Sequence, residues 1–304
     1  MWIAQEPEAI AGALSRSGVL LEPGHLSLLQ RDDRFVVRLP ENRMAWFPTN
    51  VQGLERLRRE RRVLALIGRH CAFDAPEVIS ESGDGWDVRR MVAGKFEPLR
   101  VYERVMREAG FARKVGERMG AVLACQHTAI PAVELADVGL PSKPSWPPPV
   151  AWAEERLPRA TNDKSLVDRA LRLLARYESE EARVTVRVLG HTDFGFHNIV
   201  IDATSGAVIG VFDYDSAAWC DPHHDFRYLL LDIEGEALLD GAAQVYEAAT
   251  GVTLDRDRVR LLNAACAVAF LAFRAGSGPD EAPAGRTLAE DLRWTNLALR
   301  RAYA

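Results

Sequence analysis

The segment HTDFGFHN, residues 191–198, gathers two histidines, an aspartate and an asparagine in one short stretch. The histidines first suggest a zinc site, to which His223 and His224 further along the chain could contribute. Structural zinc sites usually draw on tighter ligand pairs, and His197 is followed by Asn198 rather than by a cysteine or a carboxylate. The sequence therefore does not predict a dedicated zinc site here.

The triplet Asp193-Phe194-Gly195 within this segment has the letters of the DFG triplet with which protein kinases bind their metal. In those enzymes a catalytic loop containing a histidine and an asparagine lies upstream of the triplet. Residues 165–190 contain no histidine and no asparagine. We therefore interpret the triplet as a coincidence of letters.

The spacing of His191, Asp193 and Asn198, in the order HxDxxxxN, instead matches a kinase catalytic loop. Two short predicted strands follow around a Ser-Gly pair, and the second strand ends at Asp213. On spacing alone, Asp193 and Asn198 could equally cap a helix or form a turn in a polar loop. The position of Asp213 favours a site for phosphoryl transfer.

Together with GVFDYDSAAWCDPHHDF, residues 210–226, the segment resembles the aminoglycoside phosphotransferase and choline kinase-like superfamily. The resemblance covers residues 186–232 directly and rests on these positions: His191, Asp193, Asn198, Asp213, Asp221-Pro222 and Asp225. It implies a two-lobed protein-kinase-like fold of the α+β class, with ATP (or GTP) and Mg²⁺ as cofactors. The implied activity is that of a small-molecule kinase, which transfers phosphate to a hydroxyl group.

The resemblance gives each polar residue of the loop a role in phosphoryl transfer, which depends on positioning and charge neutralisation. Asp193 is expected to act as the general base and to accept the proton of the substrate hydroxyl. Asn198 and Asp213 are expected to hold Mg²⁺, a hard cation that prefers oxygen ligands. His191 is expected to orient the loop, and Asp221 to cap the helix that follows it.

The order of predicted elements agrees with an N-terminal nucleotide-binding lobe, residues 1–92, and a catalytic lobe, residues 93–304. Three segments of the small lobe have predicted secondary structure: a hairpin at 25–40, a helix at 49–70 and a second hairpin at 77–92. From residue 93 onwards the pattern is mostly helical. A small antiparallel sheet with one helix would thus precede a larger, mainly helical lobe, with a ligand cleft between them.

The small lobe should bind the nucleotide, but all four lysines of the chain lie after it, from Lys95 onwards. FVVRLP, residues 35–40, is interpreted as the third strand, where kinases carry a phosphate-binding lysine, and it offers Arg38 instead. Arg38 alternates with Val37 and Leu39, so it is expected to point into the cleft. A surface arginine on an edge strand is the other interpretation of the same pattern.

Further positions complete the predicted nucleotide site. Glu60 on the predicted helix is expected to pair with Arg38, and Glu55, a little over one turn earlier, is its rival. Met91 and Val92 lie in a predicted hinge, where their backbone groups could bind a purine. The sequence shows no GxGxxG loop, so it does not predict how the triphosphate is held.

Composition bounds the class of protein. The 304 residues carry a formal net charge of −5, which argues against nucleic acid as the main partner. The four cysteines form no CxxC pair, as expected in a reducing compartment. The N-terminus lacks the basic segment of a signal peptide, and the longest apolar run, residues 264–273, is too short to span a membrane. We expect a cytoplasmic monomer or homodimer that acts without a membrane.

The sequence leaves the phosphate acceptor open. Six acids and one arginine lie between residues 221 and 240, and either a solvated surface or a site for a cationic aminocyclitol antibiotic would explain them. Trp146, Trp152 and Trp294 could instead form an apolar pocket for a macrolide or a nucleoside. A metabolite kinase would show the same loop, as would a catalytically weak nucleotide-binding regulatory relative, which the missing lysine favours.

Overall fold

The computed structural model describes residues 6–16, 18–19, 27–31, 33–230, 235–276 and 286–304. The strands are β1 (Ser27–Gln30), β2 (Arg34–Leu39), β3 (Arg43–Pro48), β4 (Glu77–Glu81), β5 (Asp87–Arg90), β6 (Val188–Gly190), β7 (Ile199–Ile201), β8 (Val208–Val211) and β9 (Ala218–Cys220). The α-helices are α1 (Pro7–Arg16), α2 (Val51–His70), α3 (Pro98–Arg107), α4 (Ala109–Thr128), α5 (Ala132–Ala136), α6 (Val150–Ala160), α7 (Lys164–Glu181), α8 (Ala237–Thr250), α9 (Arg256–Phe273) and α10 (Leu288–Ala302).

The first five strands form one antiparallel sheet in the order β1-β2-β3-β5-β4. Side chains alternate between the two faces of a strand. On one face, Phe35 and Val37 of β2 are buried with Leu14 of α1 in a small apolar cluster. On the other face, Asp87 and Arg89 of β5 point towards α2, where they form ion pairs. The sheet is therefore enclosed by one helix on each side.

Much of the small lobe is as predicted. The helix at 49–70 is confirmed as α2, which begins at Asn50, whose Oδ1 accepts a hydrogen bond from the N–H of Gly53 at 2.8 Å. The hairpin at 77–92 is confirmed as β4 and β5. β1 and β2 pair as expected, although residues 25 and 26 of the first predicted hairpin lie outside the described residues.

Two elements of the small lobe are not predicted by the sequence. The helix α1 precedes the sheet, which therefore has two helices rather than one, and β3 lies between two of the predicted segments. The turn from β2 to β3 uses Glu41 and Asn42 with φ of 59° and 54°. A hairpin turn with two such residues is usually signalled by glycine, and no glycine is present. The interpretation of residues 35–40 as the third strand is wrong, because they belong to the second.

The larger lobe is built on a close contact between α4 and α8. Gly120 of α4 and Gly241 of α8 lie at this contact. A Cβ atom on Gly120 would lie 2.2 Å from the carbonyl oxygen of Ala242, and one on Gly241 would lie 2.2 Å from that of Arg113. The two helices touch through their backbones, a separation that only glycine permits at these positions.

Helix α9 packs against α6, α7 and α10. Residues 256–276 are long and apolar enough to cross a membrane by length and composition alone, but 72% of their most apolar window is buried inside the fold. The apolar run at 264–273 therefore belongs to a buried helix, as the sequence predicts. Two short antiparallel pairs of strands carry the candidate site: β7 with β8, and β6 with β9. In the sequence they lie between α7 and the C-terminal helices.

We expect Gly120→Ala to lower the free energy of unfolding by about 1–3 kcal/mol, the usual cost of an overpacked contact. Chemical denaturation measures this value. Gly68→Ala in α2 is the matched control, because nothing lies within 4 Å of the position its Cβ would take. That substitution should be neutral or stabilising, by no more than about 1 kcal/mol. Equal destabilisation by the two changes would contradict the backbone contact.

Candidate active site

The predicted loop runs from the end of β6 to β7 and is anchored by one buried carboxylate, that of Asp225. The carboxylate of Asp225 accepts hydrogen bonds from the backbone N–H groups of His191 at 2.9 Å and Thr192 at 2.7 Å. His127 Nε2 lies 3.1 Å from the same group. Burial alone would raise the pKa of Asp225, but His127 and the other donors outweigh it and lower the pKa to about 2. An ionised side chain thus fixes the start of the loop.

Asp193 stands near the middle of the loop with its carboxylate partly exposed. His197 Nε2 lies 3.1 Å from Oδ2, and Asn198 Nδ2 donates to the same oxygen at 2.9 Å. Although burial raises the pKa of Asp193, the hydrogen bond and charge of His197 hold it well below its usual value. An ionised carboxylate fixed from two sides in this way can accept a proton from a hydroxyl group.

His191 connects this loop to the residue before Asp213. Burial lowers the pKa of His191, so the ring is neutral: its Nε2 donates to the carbonyl of Phe212 at 2.9 Å, and its Nδ1 accepts from the N–H of Asp193 at 3.2 Å. The N–H of Phe212 in turn donates to the carbonyl of Asn198 at 3.0 Å. His191 therefore orients the loop, and the same bonds bring Asn198 and Asp213 to neighbouring strand ends.

The oxygens of Asn198 and Asp213 suit Mg²⁺. Oδ1 of Asp213 is buried and accepts no hydrogen bond from the described residues, and the amide of Asn198 is held through its nitrogen. Burial, with Asp215 and Glu60 nearby, raises the pKa of Asp213 to about 7. A carboxylate with incompletely matched charge fits Mg²⁺, which takes one or two protein ligands and adds water and phosphate oxygens. Within the described ranges, no three His, Cys, Asp or Glu side chains form a metal cluster.

Thr192 and Asp213 have left-handed backbone conformations, with φ of 64° and 68°. This region is particularly unfavourable for a β-branched residue such as Thr192. Besides the bond from its N–H to Asp225, Thr192 donates from Oγ1 to the carbonyl of Ser216 at 2.7 Å, and its own carbonyl accepts from Nη2 of the buried Arg227. Strain of this kind persists only where the surroundings over-determine it, and it is common at functional sites.

The nucleotide side of the site differs from the prediction. Arg38 is exposed and has no ion pair within the part of the chain that the structure describes. The expected pair between Arg38 and Glu60 is wrong, because the side chain of Arg38 is exposed and Glu60 is buried with another partner. Glu60 is buried and pairs instead with Arg89 of β5 at 2.9 Å. The rival, Glu55, is exposed.

Arg34, at the other end of β2, is the arginine that reaches the candidate metal ligands. Its Nη2 lies 2.6 Å from Oδ2 of Asp215 and 3.8 Å from Oδ1 of Asp213, and the side chain is only 8% exposed. Arg34 and Arg38 share a face of the strand, since they are separated by an even number of residues. Strand alternation therefore does not distinguish Arg34 from Arg38, and the sequence analysis did not select Arg34.

Trp46 occupies the corresponding face of β3. The guanidinium carbons of Arg34 and Arg89 lie 5.2 and 4.8 Å from the centroid of its ring. Cations over an indole face are attracted by its quadrupole, so the ring stabilises both guanidinium groups. The third strand thus contributes an aromatic side chain, and the positive charges come from β2 and β5.

Met91 and Val92 follow β5, as the predicted hinge requires, but most of their backbone groups already have partners. The N–H of Met91 donates to the carbonyl of Asn42 at 2.9 Å. The side-chain amide of Asn42 donates to the carbonyls of both Met91 and Val92 at 3.0 Å. The N–H of Val92 has no hydrogen bond to the described residues. Purine binding by this segment stays a prediction, with that N–H as the candidate donor.

A cavity of about 1610 Å³ opens beside Asp193. It is bounded by α3, the loop, and the helices α9 and α10. Trp146 and Trp294 line it, and Trp152 packs edge-on against Trp146 with ring centroids 6.0 Å apart. The tryptophans considered as an apolar pocket thus lie at or next to the space that adjoins the expected base.

The acids between residues 221 and 240 do not form an acidic wall for this cavity in the described structure. Asp221 caps the following helix, as predicted, by accepting from the N–H of His223 at 2.9 Å. Apart from Asp225, the described acids of this segment form ion pairs. These are Asp221 with Arg258 at 2.8 Å, Glu236 with Arg260 at 2.9 Å and Asp240 with Arg256 at 2.9 Å. Asp232 and Glu234 lie outside the described residues.

A family model of phosphotransferase enzymes matches residues 10–262. The chain belongs to this phosphotransferase enzyme family. The family prediction made from the loop and its downstream aspartates is thereby confirmed. No curated protein matches the sequence of this phosphotransferase.

Solved structures show the same fold. The GDP complex of wild-type aminoglycoside 2′-phosphotransferase-IIIa has a TM-score of 0.64 at 17% identity, over 99% of this chain and 98% of that one. Macrolide 2′-phosphotransferase MphH from Brachybacterium faecium gives 0.61 at 18% identity, over 96% and 98%. A streptomycin–ATP complex of an aminoglycoside phosphotransferase gives 0.60 at 13% identity, over 97% and 99%. The predicted kinase-like α+β fold is confirmed.

The two arginines of β2 give a direct test of the nucleotide side. Arg34→Gln should weaken nucleotide binding by about 1.5–3 kcal/mol, the range for hydrogen bonds to charged groups, because it removes the buried cation nearest Asp213. Isothermal titration with ATP or GTP and Mg²⁺ measures the change. Arg38→Gln is the matched control on the same strand face and should have little effect. A larger loss in the Arg38 variant would reinstate the original assignment.

Proposed function

We propose that this phosphotransferase transfers the terminal phosphate of ATP or GTP to a hydroxyl group of a small molecule. The observation that carries the proposal is the position of Asp193, an ionised carboxylate that faces a cavity of about 1610 Å³ and lies in the same loop as Asn198. The fold is shared with proteins solved in complex with GDP or ATP, which supports a nucleotide as the donor.

In this mechanism the acceptor hydroxyl hydrogen-bonds to Asp193. The hydroxyl oxygen attacks the terminal phosphorus while the bond from that phosphorus to the bridging oxygen breaks, the proton passes to the carboxylate, and nucleoside diphosphate leaves. Asn198 and Asp213 would hold Mg²⁺, which neutralises charge on the phosphates. Asp225 and His191 keep the loop in place, so the base need not be repositioned during the reaction.

A nucleotide-binding regulatory relative with weak activity is the second candidate. The observation in its favour is the ion pair of Arg34 with Asp215 at 2.6 Å, because an arginine held in that way has less freedom to contact phosphate. Nucleotide turnover with and without candidate alcohols separates the two functions. Small-molecule antibiotics and metabolites both belong in that panel, since the family alone does not choose the acceptor.

Asp193→Asn should lower turnover by roughly 10²–10⁴-fold, the range for losing a positioned general base, and should leave nucleotide affinity unchanged. Coupled detection of nucleoside diphosphate, with the acceptor present, measures turnover. His197→Gln is the control, because it removes the neighbour of the carboxylate and keeps the carboxylate itself. A residual rate above about a tenth of wild type in the Asp193 variant would exclude this residue as the base.

Asp213→Ala should weaken Mg²⁺-dependent nucleotide binding more than Asn198→Ala does, because only the first change removes a formal negative charge from the cation site. Nucleotide affinity measured across a series of Mg²⁺ concentrations tests the ranking. If the Asp213 variant retains the Mg²⁺ dependence of wild type, these two residues do not hold the ion.

A further inference from the structure

One face of α10 lines the cavity and carries a row of arginines. Arg293 and Arg300 are seven residues apart in α10, which is about two helical turns, so they lie along one side of the helix. Arg286 lies just before the helix, next to its cap Thr287. All three line the cavity. Arg286 is held by Oδ1 of Asp291 at 3.0 Å. The side chains of Arg293 and Arg300 are exposed and form no hydrogen bond or ion pair with a residue in the described ranges.

The described residues that line the cavity include too few acids to balance the charge of these arginines. Four lining residues are arginines and two are acids. One acid is Asp193, the expected base. The other is Glu290, whose carboxylate accepts from the N–H and the hydroxyl of Thr287 at 2.7 and 2.8 Å, in the capping box of α10. The charge of Glu290 also interacts with that of Arg293, one turn further along the helix. No described carboxylate lies within ion-pair distance of Arg293 or Arg300, so the described wall has an excess of positive charge.

The remainder of the wall is rich in aromatic rings. Trp146 contacts Phe273, and Phe270 contacts Trp294, with ring centroids 6.4 and 6.1 Å apart. Phe273 is 45% exposed, so an apolar surface faces the cavity. Aromatic rings can also bind a cationic ligand. Here, however, Arg286 already lies over the ring of Trp294, with its guanidinium carbon 5.2 Å from the centroid. A cationic ligand would have to compete with a resident cation.

Size and charge together define the acceptor. The cavity of about 1610 Å³ exceeds the usual ~300–1,000 Å³ of small-molecule sites, so it has room for a large acceptor. A polycationic aminocyclitol would meet the exposed guanidinium groups of Arg293 and Arg300 and would be repelled by them. An anionic group would pair with them, and guanidinium groups bind carboxylate or phosphate in a bidentate manner.

We propose that the acceptor is a large alcohol with an aromatic or alicyclic body and an anionic group, and that Arg293 and Arg300 recognise that group. This inference rests on the proposed function for its reaction, but not for its test. The charge preference of the cavity can be measured by binding alone.

The test uses two fluorescent dyes with the same aromatic skeleton. Anilinonaphthalenesulfonate carries a sulfonate, and phenylnaphthylamine lacks it. The wild-type protein should bind the sulfonate dye roughly tenfold more tightly or better, the equivalent of one hydrogen bond to a charged group. The double variant R293E/R300E should lose most of that advantage and bind the neutral dye within about twofold of wild type. Thermal melting checks that the variant is folded.

Arg172→Glu is the matched control, an equal charge reversal at an exposed arginine of α7 that does not line the cavity. It should leave both dye affinities unchanged. Kanamycin provides a polycationic competitor, and it should not displace the sulfonate dye from wild type. Equal affinity of wild type for both dyes, equal effects of the control and the double variant, or displacement by kanamycin would each overturn the inference.

Turnover separates failure of this inference from failure of the proposed function. Phosphate transfer to kanamycin that persists in R293E/R300E would overturn the anionic acceptor and uphold the phosphotransferase activity. Arginine-dependent binding of the sulfonate dye, with no phosphate transfer to any alcohol of the panel, would support the charge preference of the cavity and contradict the proposed function. Transfer to an anionic alcohol that is lost in R293E/R300E supports both.

Discussion

The candidate site depends on the hydrogen bonds that the buried carboxylate of Asp225 accepts. This carboxylate receives the first two backbone N–H groups of the loop and lies 3.1 Å from Nε2 of His127 on α4. A buried charge is stable only when it is paired and hydrogen-bonded. The loop, the helix α4 and the segment after β9 are thus tied to one point. His191 extends this order to Asp213, which follows the next strand, so the proposed base and the proposed metal ligands share one framework.

In the small lobe, buried charges are paired with one another rather than with backbone N–H groups. Glu60 is buried in α2, and burial raises its pKa despite the ion pair with Arg89. Arg34 lies near the carboxylates of Asp33 and Asp215, and the guanidinium groups of Arg34 and Arg89 both lie over the ring of Trp46. Each buried charge has an opposite charge within reach, although no lysine is present before residue 95. The positive charge near the metal ligands comes from the second strand of the sheet.

The parts of the fold that the sequence predicts are those set by short-range patterns. The HxDxxxxN spacing, the Asn50 cap and the hairpin at 77–92 each depend on neighbouring residues, and the structure contains all three. The pair expected between Arg38 and Glu60 is wrong, because the choice between Arg34 and Arg38 depends on which end of β2 lies beside Asp213 and Asp215, and these residues are distant in sequence. The sequence predicted the cavity only through its tryptophans. Its wall comes from α3, the loop and α10, which are distant in sequence.

Arg227 has a consequence for kinetics. It is fully buried, holds the carbonyl of Thr192 in its strained conformation, and also lines the cavity beside Tyr228. An acceptor that fills the cavity therefore touches the same arginine that shapes the loop carrying Asp193. Part of the energy of acceptor binding can then stabilise the existing alignment of Asp193, the proposed base. Good and poor acceptors would differ in kcat as well as in KM, because binding energy used for alignment appears only in the transition state.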